Sequence, residues 1–283
     1  MTPIAHIDPS RLVDKNRVTP IWCPGCGDYG VLQSLVRALQ DLGRSPKDTV
    51  LVSGIGCSGR LPYFVDAYGF HTLHGRALPA ALGVKLANPD LTVIVVGGDG
   101  DGFGIGGGHV PHIARRNVDI TYLILDNGVY ALTKGHSSPT TTPGQKTPSA
   151  RQGEEARPLD IIGMLLAYRS SFVAAAHSND RPTLTSVIKE GILHPGFAAV
   201  HVFSPCPTYN DIMTPDSLRL AIRNLPEDHN RHSLAAAMAA HYGTDGFLGG
   251  VIYQEEDSQP MNPHREPESE SRRRFLELAA RYA

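Results

Sequence analysis

The sequence has little of what marks membrane, secreted or nucleic-acid-binding proteins. Its 283 residues carry a formal net charge of −2, so the excess of positive charge that a nucleic-acid-binding surface needs is absent. No apolar run reaches about 18 residues, so we expect no membrane-spanning helix. The opening residues, MTPIAHIDPSRLVDKNR, contain no apolar signal-peptide core. We therefore expect a cytoplasmic protein that binds neither membranes nor nucleic acids.

Cysteine is also scarce, but its positions are unusual. The four cysteines are Cys23, Cys26, Cys57 and Cys206, and each lies in a turn rich in glycine or proline. Structural cysteines more often pack in apolar cores. Four thiolates brought together by turns suit either a tetrahedral zinc ion or a [4Fe–4S] cluster, and the spacing alone does not separate the two. A disulfide pair suits a cytosolic chain less well, and four unrelated thiols are the simplest alternative.

Predicted helices and strands alternate along the chain. A helix is predicted at 29–42, capped by Asp28. Strands are predicted at 49–53, 91–96, 120–125, 171–176 and 197–203, and further helices at 77–87, 105–116, 161–168, 183–193 and 214–224. This alternation predicts an α/β fold of the doubly wound type, a mostly parallel sheet with helices on both faces. We assign 1–210 to that α/β domain, and 211–283 to a helical extension with a charged C-terminal arm.

The stretch 91–130 carries the strongest signal for a ligand. Its order of strand, crossover helix and strand is a βαβ unit, so Asp99 and Asn127 follow two parallel strands at the same sheet edge. Carboxylate and amide oxygens suit Mg²⁺, and the carbonyl of Val129 with two phosphate oxygens completes an octahedron. The helix N-terminus near 104–107 would offer N–H groups to a diphosphate. The pattern thus predicts a Mg²⁺–diphosphate site.

A dinucleotide site is the competing interpretation of the same stretch. The glycines of 102–107 fit G-x-G-x-x-G, and Asp126 follows about 20 residues later. Asp99 and Asp101 argue against it, because they would repel a pyrophosphate unless a cation intervened. A glycine-rich turn without any ligand explains two acids at a strand end poorly. We therefore favour the Mg²⁺–diphosphate interpretation.

Two further segments contain candidate ligands. His71, His74 and Arg76 precede the predicted helix 77–87, where a helix N-terminus favours anions. The segment 133–157 is polar and rich in Pro, Ser and Thr, and a loop of this length is often functional. Lys134 and His136 lie at its start, close in sequence to Asn127. We expect them to face a ligand, with ordinary solvated loop residues as the alternative.

An ordered set of motifs resembles the β subunit of 2-oxoacid:ferredoxin oxidoreductases. The motifs are WCPGCG, SGIGCSGR, HTLHGRA, GGDGDGFGIGGGH, RRN, LDNGVYALTKGHSSPTT and SPC, over roughly 22–141 and 204–206. Within them, Gly98-Asp99-Gly100 followed by Asn127 is similar to the thiamine diphosphate motif. One departure is His136, because members of the family commonly carry Gln at this position.

The resemblance implies a fold of the thiamine-diphosphate-binding type and a set of site residues. It implies that Cys23, Cys26, Cys57 and Cys206 hold one [4Fe–4S] cluster. It also implies that thiamine diphosphate is held through Mg²⁺ at Asp99, Asn127 and Val129. The implied cofactor-binding residues are Ile55, Gly56, Cys57, Ser58, His74, Gly75, Arg76, Gly98, Asp99, Gly100, Asp101, Asn127, Val129, Tyr130, Ala131, Leu132 and Thr133. Lys134 and His136 are the catalytic candidates.

The implied reaction is the oxidative decarboxylation of a 2-oxoacid, with the acyl group passed to coenzyme A and electrons passed through the cluster to ferredoxin. A separate α subunit, in an assembly of two α and two β subunits, is expected to supply the acid that activates the cofactor. The Lys134-Gly135 variant resembles members acting on 2-oxoglutarate, while pyruvate or a branched-chain 2-oxoacid stays open. Two different hypotheses also stay open. One is another kind of thiamine diphosphate decarboxylase or synthase with structural zinc, and the second is a cluster-carrying subunit that only transfers electrons.

Overall fold

The computed structural model describes residues 18–261 and 268–281. Its strands are β1 (Thr49–Ser53), β2 (Tyr68–His71), β3 (Thr92–Gly98), β4 (Ile120–Asp126), β5 (Val129–Tyr130), β6 (His136–Ser137), β7 (Phe172–His177), β8 (Phe197–Phe203), β9 (Arg223–Asn224) and β10 (Leu248–Gln254). Its α-helices are α1 (Asp28–Asp41), α2 (Ala77–Ala87), α3 (Val110–Arg116), α4 (Ile161–Ala167), α5 (Arg181–Leu193), α6 (Pro215–Ala221), α7 (Leu234–Gly243) and α8 (Glu268–Ala280). Within these two described ranges, no helix has the length and hydrophobicity that a membrane crossing requires.

One twisted sheet positions all the functional loops. Its strands lie in the order β2-β1-β3-β4-β8-β7-β10-β9. Neighbouring strands run parallel except β7 and β10, which are antiparallel. The carboxyl ends of β1, β3, β4 and β8 therefore meet at one edge, where open α/β sheets bind ligands. β5 and β6 form a separate antiparallel pair.

Side chains alternate along the strands into two hydrophobic cores. Leu51 and Ile94 belong to the core that α1 and α5 cover, whereas Val52 and Val95 belong to the core that α2, α3, α4 and α7 cover. A strand buried on both faces must be apolar throughout, which explains the unbroken apolar runs of β3 and β4. The predicted α/β fold with helices on both faces is thus confirmed.

The start of the glycine-rich crossover was predicted wrongly. Instead of a turn followed by a helix from 105, a π-helical turn begins at Gly100 (Gly100–Ile105), a 3₁₀ turn follows, and α3 begins only at Val110. Glycine permits this tight winding, because a Cβ at Gly100 would lie 2.2 Å from the Tyr130 ring. The first free N–H groups of the crossover therefore lie beside Asp99, not near 104–107.

Two other predicted helix ends also differ. The N-cap of α1 is Gly27, and Asp28 is its first residue, buried and without a capping role. α6 ends at Ala221, and residues 223–224 form β9. Thr214, a predicted helix residue, is the N-cap of α6.

The region after 224 holds two elements that were not predicted, α7 and β10. β10 has two internal glycines and pairs at the far side of the sheet, so it lacks the alternation by which half-buried strands are found. The domain boundary at residue 210 stays a prediction, although β10 lies in the main sheet. Within the predicted arm, the described side chains from 272 onward are exposed, and 262–267 and 282–283 fall outside the described residues.

Candidate functional site

Two adjoining cavities lie at the edge where β1, β3, β4 and β8 end. The larger, of about 200 Å³, surrounds the Asp99 loop. The smaller, of about 150 Å³, lies among the cysteines. The two share Cys57, Asn127, Ala131 and Leu132 in their walls, so a group in one cavity would lie next to a group in the other.

The larger cavity gathers residues from four separate loops. Its walls are formed by Ile55, Gly56, Cys57, Ser58, His74, Gly98, Asp99, Gly100, Asp101, Asn127, Val129, Tyr130, Ala131, Leu132 and Thr133. Of the residues predicted to bind the cofactor, only Gly75 and Arg76 are not in this lining. The Gly75 N–H donates to Asp101, and the Arg76 guanidinium donates to the Gly75 carbonyl. Gly75 therefore ties the loop after β2 to Asp101, and the exposed Arg76 lies next to it in the chain.

Asp99 and Asn127 present oxygen atoms at the mouth of this cavity. Asp99 is 2% exposed, and its Oδ2 accepts a hydrogen bond from Thr140 Oγ1 at 2.8 Å. Asn127 Oδ1 accepts from the Val129 N–H at 3.0 Å and keeps a second lone pair. Burial, and then the nearby Asp126 carboxylate, raise the pKa of Asp99. A divalent cation would offset both effects, so this hard-oxygen donor set fits Mg²⁺.

Asp101 has a different task from Asp99. Its Oδ1 accepts hydrogen bonds from the Ile55 N–H at 2.9 Å and the Gly75 N–H at 2.8 Å, and it pairs with His74 Nδ1 at 2.8 Å. One buried oxygen thereby ties together the loops that follow β1 and β2. Asp101 holds His74 at the cavity wall, where its ring meets the Tyr130 ring edge-on at 6.1 Å. Asp101 shapes the pocket through these loops.

The smaller cavity brings all four cysteines together as free thiols. Its other wall residues are Ile21, Trp22, Arg60, Asn127, Ala131, Leu132, Lys134, Pro207 and Tyr209. Within 18–261 and 268–281, no three His, Cys, Asp or Glu side chains converge closely enough to hold a single metal ion. A cavity of about 150 Å³ lined by four cysteines has room for a group of several atoms.

Hydrogen bonds to backbone carbonyls hold the three cysteine loops in place. Trp22 Nε1 donates to the Cys57 carbonyl at 2.8 Å, and the Gly27 N–H donates to the Pro205 carbonyl at 3.0 Å. A Cβ at Gly27 would lie 2.6 Å from Ser204 Oγ, so only glycine allows the first and last loops to approach this closely. The tryptophan and the second glycine of WCPGCG thus assemble loops that are far apart in the sequence.

Burial and one nearby carboxylate act on two of the thiols, Cys26 and Cys57. Burial, and then the Asp28 carboxylate, raise the pKa of Cys26 and raise that of Cys57 to about 11. Burial raises the pKa of Asp28 itself to about 6, although hydrogen bonds from Ser204 and Cys26 act the other way. A bound metal would supply positive charge that favours thiolates at these two positions.

Neither catalytic candidate lies in the wall of the larger cavity. Lys134 is exposed, has a backbone φ of +81°, and lines the cysteine cavity. His136 is exposed on β6, where it pairs with Tyr130 of β5. Contact of these two side chains with a substrate stays a prediction.

A buried polar chain behind Asp99 was missed in the sequence. Thr140 Oγ1 lies 2.8 Å from Asp126 Oδ1 as well as from Asp99, and Asp126 Oδ2 pairs with His201 Nε2 at 3.0 Å. The available signals were the two adjacent threonines of SSPTT and the aspartate directly before Asn127. The sequence distance between these threonines and this aspartate does not indicate a contact, because only the fold brings them together.

Comparison with family models gives two matches that together cover most of the chain. Residues 54–202, slightly more than half of it, match "Thiamine pyrophosphate enzyme, C-terminal TPP binding domain". Residues 206–267 match the model for the C-terminal part of the pyruvate ferredoxin oxidoreductase β subunit. The first match contains Asp99 and Asn127, and the second begins at Cys206.

Individual relatives agree with these models. A 2-oxoacid:ferredoxin oxidoreductase subunit beta from Saccharolobus solfataricus is 49% identical over 209 residues, which cover 73% of this chain and 68% of that protein. The 2-oxoglutarate synthase subunit KorB from Archaeoglobus fulgidus is 43% identical over 199 residues, covering 70% and 74%.

A solved structure resembles nearly the whole chain. It is 2-oxoglutarate:ferredoxin oxidoreductase from Magnetococcus marinus with 2-oxoglutarate, coenzyme A and succinyl-CoA bound. One of its chains matches with a TM-score of 0.88 and 40% identity, covering 97% of this chain and 93% of that one.

Proposed function

Because the chain belongs to the β-subunit family of 2-oxoacid:ferredoxin oxidoreductases, we propose that it holds both thiamine diphosphate and a [4Fe–4S] cluster for the oxidative decarboxylation of a 2-oxoacid. The predicted family and enzyme class are confirmed by these relatives. One observation supports the two-cofactor proposal most strongly: the Asp99 cavity and the four-cysteine cavity share a wall. Electrons leaving one group would have only that wall to cross.

In this proposal the larger cavity binds the diphosphate end of thiamine diphosphate. Asp99, the Asn127 amide oxygen and the Val129 carbonyl would hold Mg²⁺, and the N–H groups near Gly100 would face the phosphates. When bound, the cofactor supplies a carbanion and an electron sink for the 2-oxoacid. The protein's part is to orient the diphosphate and to keep water out, with Asp101 fixing the surrounding loops.

A second chain is needed to complete this pocket. Small-molecule pockets usually enclose ~300–1,000 Å³, whereas this cavity encloses about 200 Å³. Apolar side chains remain exposed beside it: Leu73, next to His74, is 77% exposed, and Leu132 in its wall is 40% exposed. Exposed apolar groups around a half-formed pocket support a separate α subunit as the missing partner. The stoichiometry of two α and two β subunits stays a prediction, as does the cytoplasmic location.

The four cysteines would bind the cluster, which transfers electrons one at a time to ferredoxin. The volume of the cavity that the four cysteines line supports a cluster over the zinc alternative. The alternative of a subunit that only transfers electrons leaves the match to a thiamine pyrophosphate domain unexplained.

For the substrate we propose 2-oxoglutarate, with coenzyme A as acyl acceptor and succinyl-CoA as product. The support is the name of the Archaeoglobus fulgidus relative and the ligands of the Magnetococcus marinus structure. Pyruvate and branched-chain 2-oxoacids are the alternatives.

The test is co-purification with the α subunit under anaerobic conditions, followed by iron, sulfide and zinc analysis and a 2-oxoacid panel. We expect four irons and four sulfides per chain, no zinc, and CoA-dependent ferredoxin reduction that is fastest with 2-oxoglutarate. Stoichiometric zinc without iron would contradict the cluster. A faster rate with pyruvate would contradict the substrate assignment and leave the family assignment intact.

A further inference from the structure

Thr140 is a buried hydroxyl placed between two buried carboxylates. It is 9% exposed, and its Oγ1 lies 2.8 Å from Asp99 Oδ2 and 2.8 Å from Asp126 Oδ1. We propose that Thr140 is the positioning residue that fixes the Asp99 carboxylate for the Mg²⁺–diphosphate group. This inference rests on the proposed function in one respect, that the larger cavity takes this group.

Thr140 makes the short contact that sets the orientation of Asp99. The hydrogen bond that the Asn127 N–H donates to Asp99 Oδ1 is long, at 3.4 Å. The terminal torsion of an aspartate is soft, so a carboxylate without a close donor turns easily. The Ser138 hydroxyl also interacts with Asp99, but it belongs to the same short segment and lies 3.4 Å from Thr140 Oγ1. Segment 138–140 therefore determines where the Asp99 oxygens point.

On the side of Thr140 away from Asp99 lies the Asp126 carboxylate, which other hydrogen bonds hold in place. Asp126 Oδ1 also accepts from the Gly128 N–H at 3.0 Å, and Asp126 Oδ2 pairs with buried His201. Thr140 thus links Asp126 at the end of β4 to Asp99, which follows β3, and fixes the distance between the two. Asn127 follows Asp126 directly in the chain, and Asp99 contacts Asp126 through Thr140. The positions of both expected Mg²⁺ ligands therefore depend on the anchored Asp126 carboxylate.

The arrangement also suits a bound cation on electrostatic grounds. A threonine hydroxyl has a single proton and cannot donate to two carboxylates at once. Two buried carboxylates around one hydroxyl therefore repel each other, and a divalent cation on Asp99 removes most of that repulsion.

The neighbouring threonine provides a matched control. Thr141 is 1% exposed, and its Oγ1 donates to the Gly128 carbonyl at 2.6 Å and accepts from the Ser138 N–H at 2.7 Å. It anchors the same segment to the backbone of the loop after β4. Loss of its hydroxyl weakens the anchor of the segment but leaves the Thr140 hydroxyl beside Asp99, so it separates the effect of anchoring from the effect of that contact.

The test compares Thr140→Val, Thr140→Ser and Thr141→Val in the full chain co-purified with its α subunit and stripped of cofactor with a chelator. Titration calorimetry with thiamine diphosphate at fixed Mg²⁺, and then Mg²⁺ at fixed thiamine diphosphate, gives both affinities. We expect Thr140→Val to weaken binding by about 10- to 150-fold, the range for a hydrogen bond to a charged group. Thr140→Ser should stay within about threefold, and Thr141→Val should lose much less than Thr140→Val. Iron content should be unchanged in all three.

Two results would overturn the proposal. One is unchanged affinity in Thr140→Val, and the other is an equal loss in Thr141→Val, which would make the segment a general anchor. If Thr140→Val loses its iron, the same measurements and criteria are applied to Thr140→Ala. That variant removes the hydroxyl without adding a methyl group toward the carboxylates. If the unmutated complex itself shows no Mg²⁺-dependent binding, the proposed function fails instead.

Discussion

Neutralising Asp101 should destabilise the fold, whereas neutralising Asp99 should abolish cofactor binding without destabilising the fold, although the two residues are only two positions apart. In Asp101→Asn, the three hydrogen bonds to Oδ1 would lose their charge assistance. A bond to a charged group contributes ~1.5–3 kcal/mol and a neutral one ~0.5–1.5, so each loses about 1 kcal/mol. Because bonds to one atom are not additive, we expect a total loss of about 2–3 kcal/mol in the free energy of unfolding.

Asp99→Asn should behave differently in the cofactor-free protein. The pKa of Asp99 is raised in the fold, so the charged form is less favourable there than in the unfolded chain. Removing that charge should leave the melting temperature unchanged or raise it. Mg²⁺-dependent thiamine diphosphate binding should be lost, since Asp99 is the carboxylate expected at the metal.

The assay is a thermal melt of each cofactor-free variant, combined with amide hydrogen exchange at Ile55 and Gly75, whose N–H groups bond Asp101. Asp101→Asn should accelerate exchange at both amides, and Asp99→Asn should not. Normal exchange and melting in Asp101→Asn would refute the assigned role of Asp101. Destabilisation of the fold by Asp99→Asn as large as that by Asp101→Asn would refute the contrast between the two acids.

Three further predictions concern the remaining site and the fold. Cys206→Ala should lower the iron content below four per chain, and full iron with full activity would contradict its role as a ligand. Lys134→Met should lower kcat/KM for 2-oxoglutarate by ~10- to 150-fold and for pyruvate less; equal losses would contradict a role in binding the second carboxylate. Burial lowers the pKa of His194 from about 6.5 to about 4. The free energy of unfolding should therefore decrease as the pH falls from 6.5 towards 4, because His194 takes up a proton in the unfolded chain before it does so in the folded one. The loss is at most about 3 kcal/mol, and urea melts of His194→Gln should show a weaker pH dependence than the unmutated chain.

The strand ends and the polar residues that follow them could be predicted because their signals are local. An apolar run followed by Gly-Asp-Gly predicts a buried strand with a carboxylate at its end, and parallel strands align such ends at one edge. Asp99 and Asn127 were placed in this way. The four cysteines were grouped because each lies in a turn rich in glycine or proline, and the structure brings them around one cavity. The winding of 100–105 was not foreseen, and neither was the close approach of the Tyr130 ring to Gly100, which leaves no room for a Cβ there.

Roles that depend on contacts between distant loops were beyond prediction. Nothing in GGDGDG distinguishes an acid that faces a ligand from one that ties loops together, and only the contacts of Asp101 with Ile55 and Gly75 reveal the difference. The sequence also did not show that Lys134 lies in the wall of the cysteine cavity; its expected contact with a substrate stays a prediction. Thr140 was likewise invisible, since its two carboxylate partners come from other strands.

The most direct test of the two-cofactor proposal is electron paramagnetic resonance of the anaerobic complex of this chain with its α subunit, recorded after 2-oxoglutarate and coenzyme A are added. We predict a reduced [4Fe–4S] signal that appears only when thiamine diphosphate and Mg²⁺ are also present, and that is missing in Asp99→Asn. A signal that appeared without thiamine diphosphate, or the absence of any cluster signal in a complex that decarboxylates 2-oxoglutarate, would contradict the proposal.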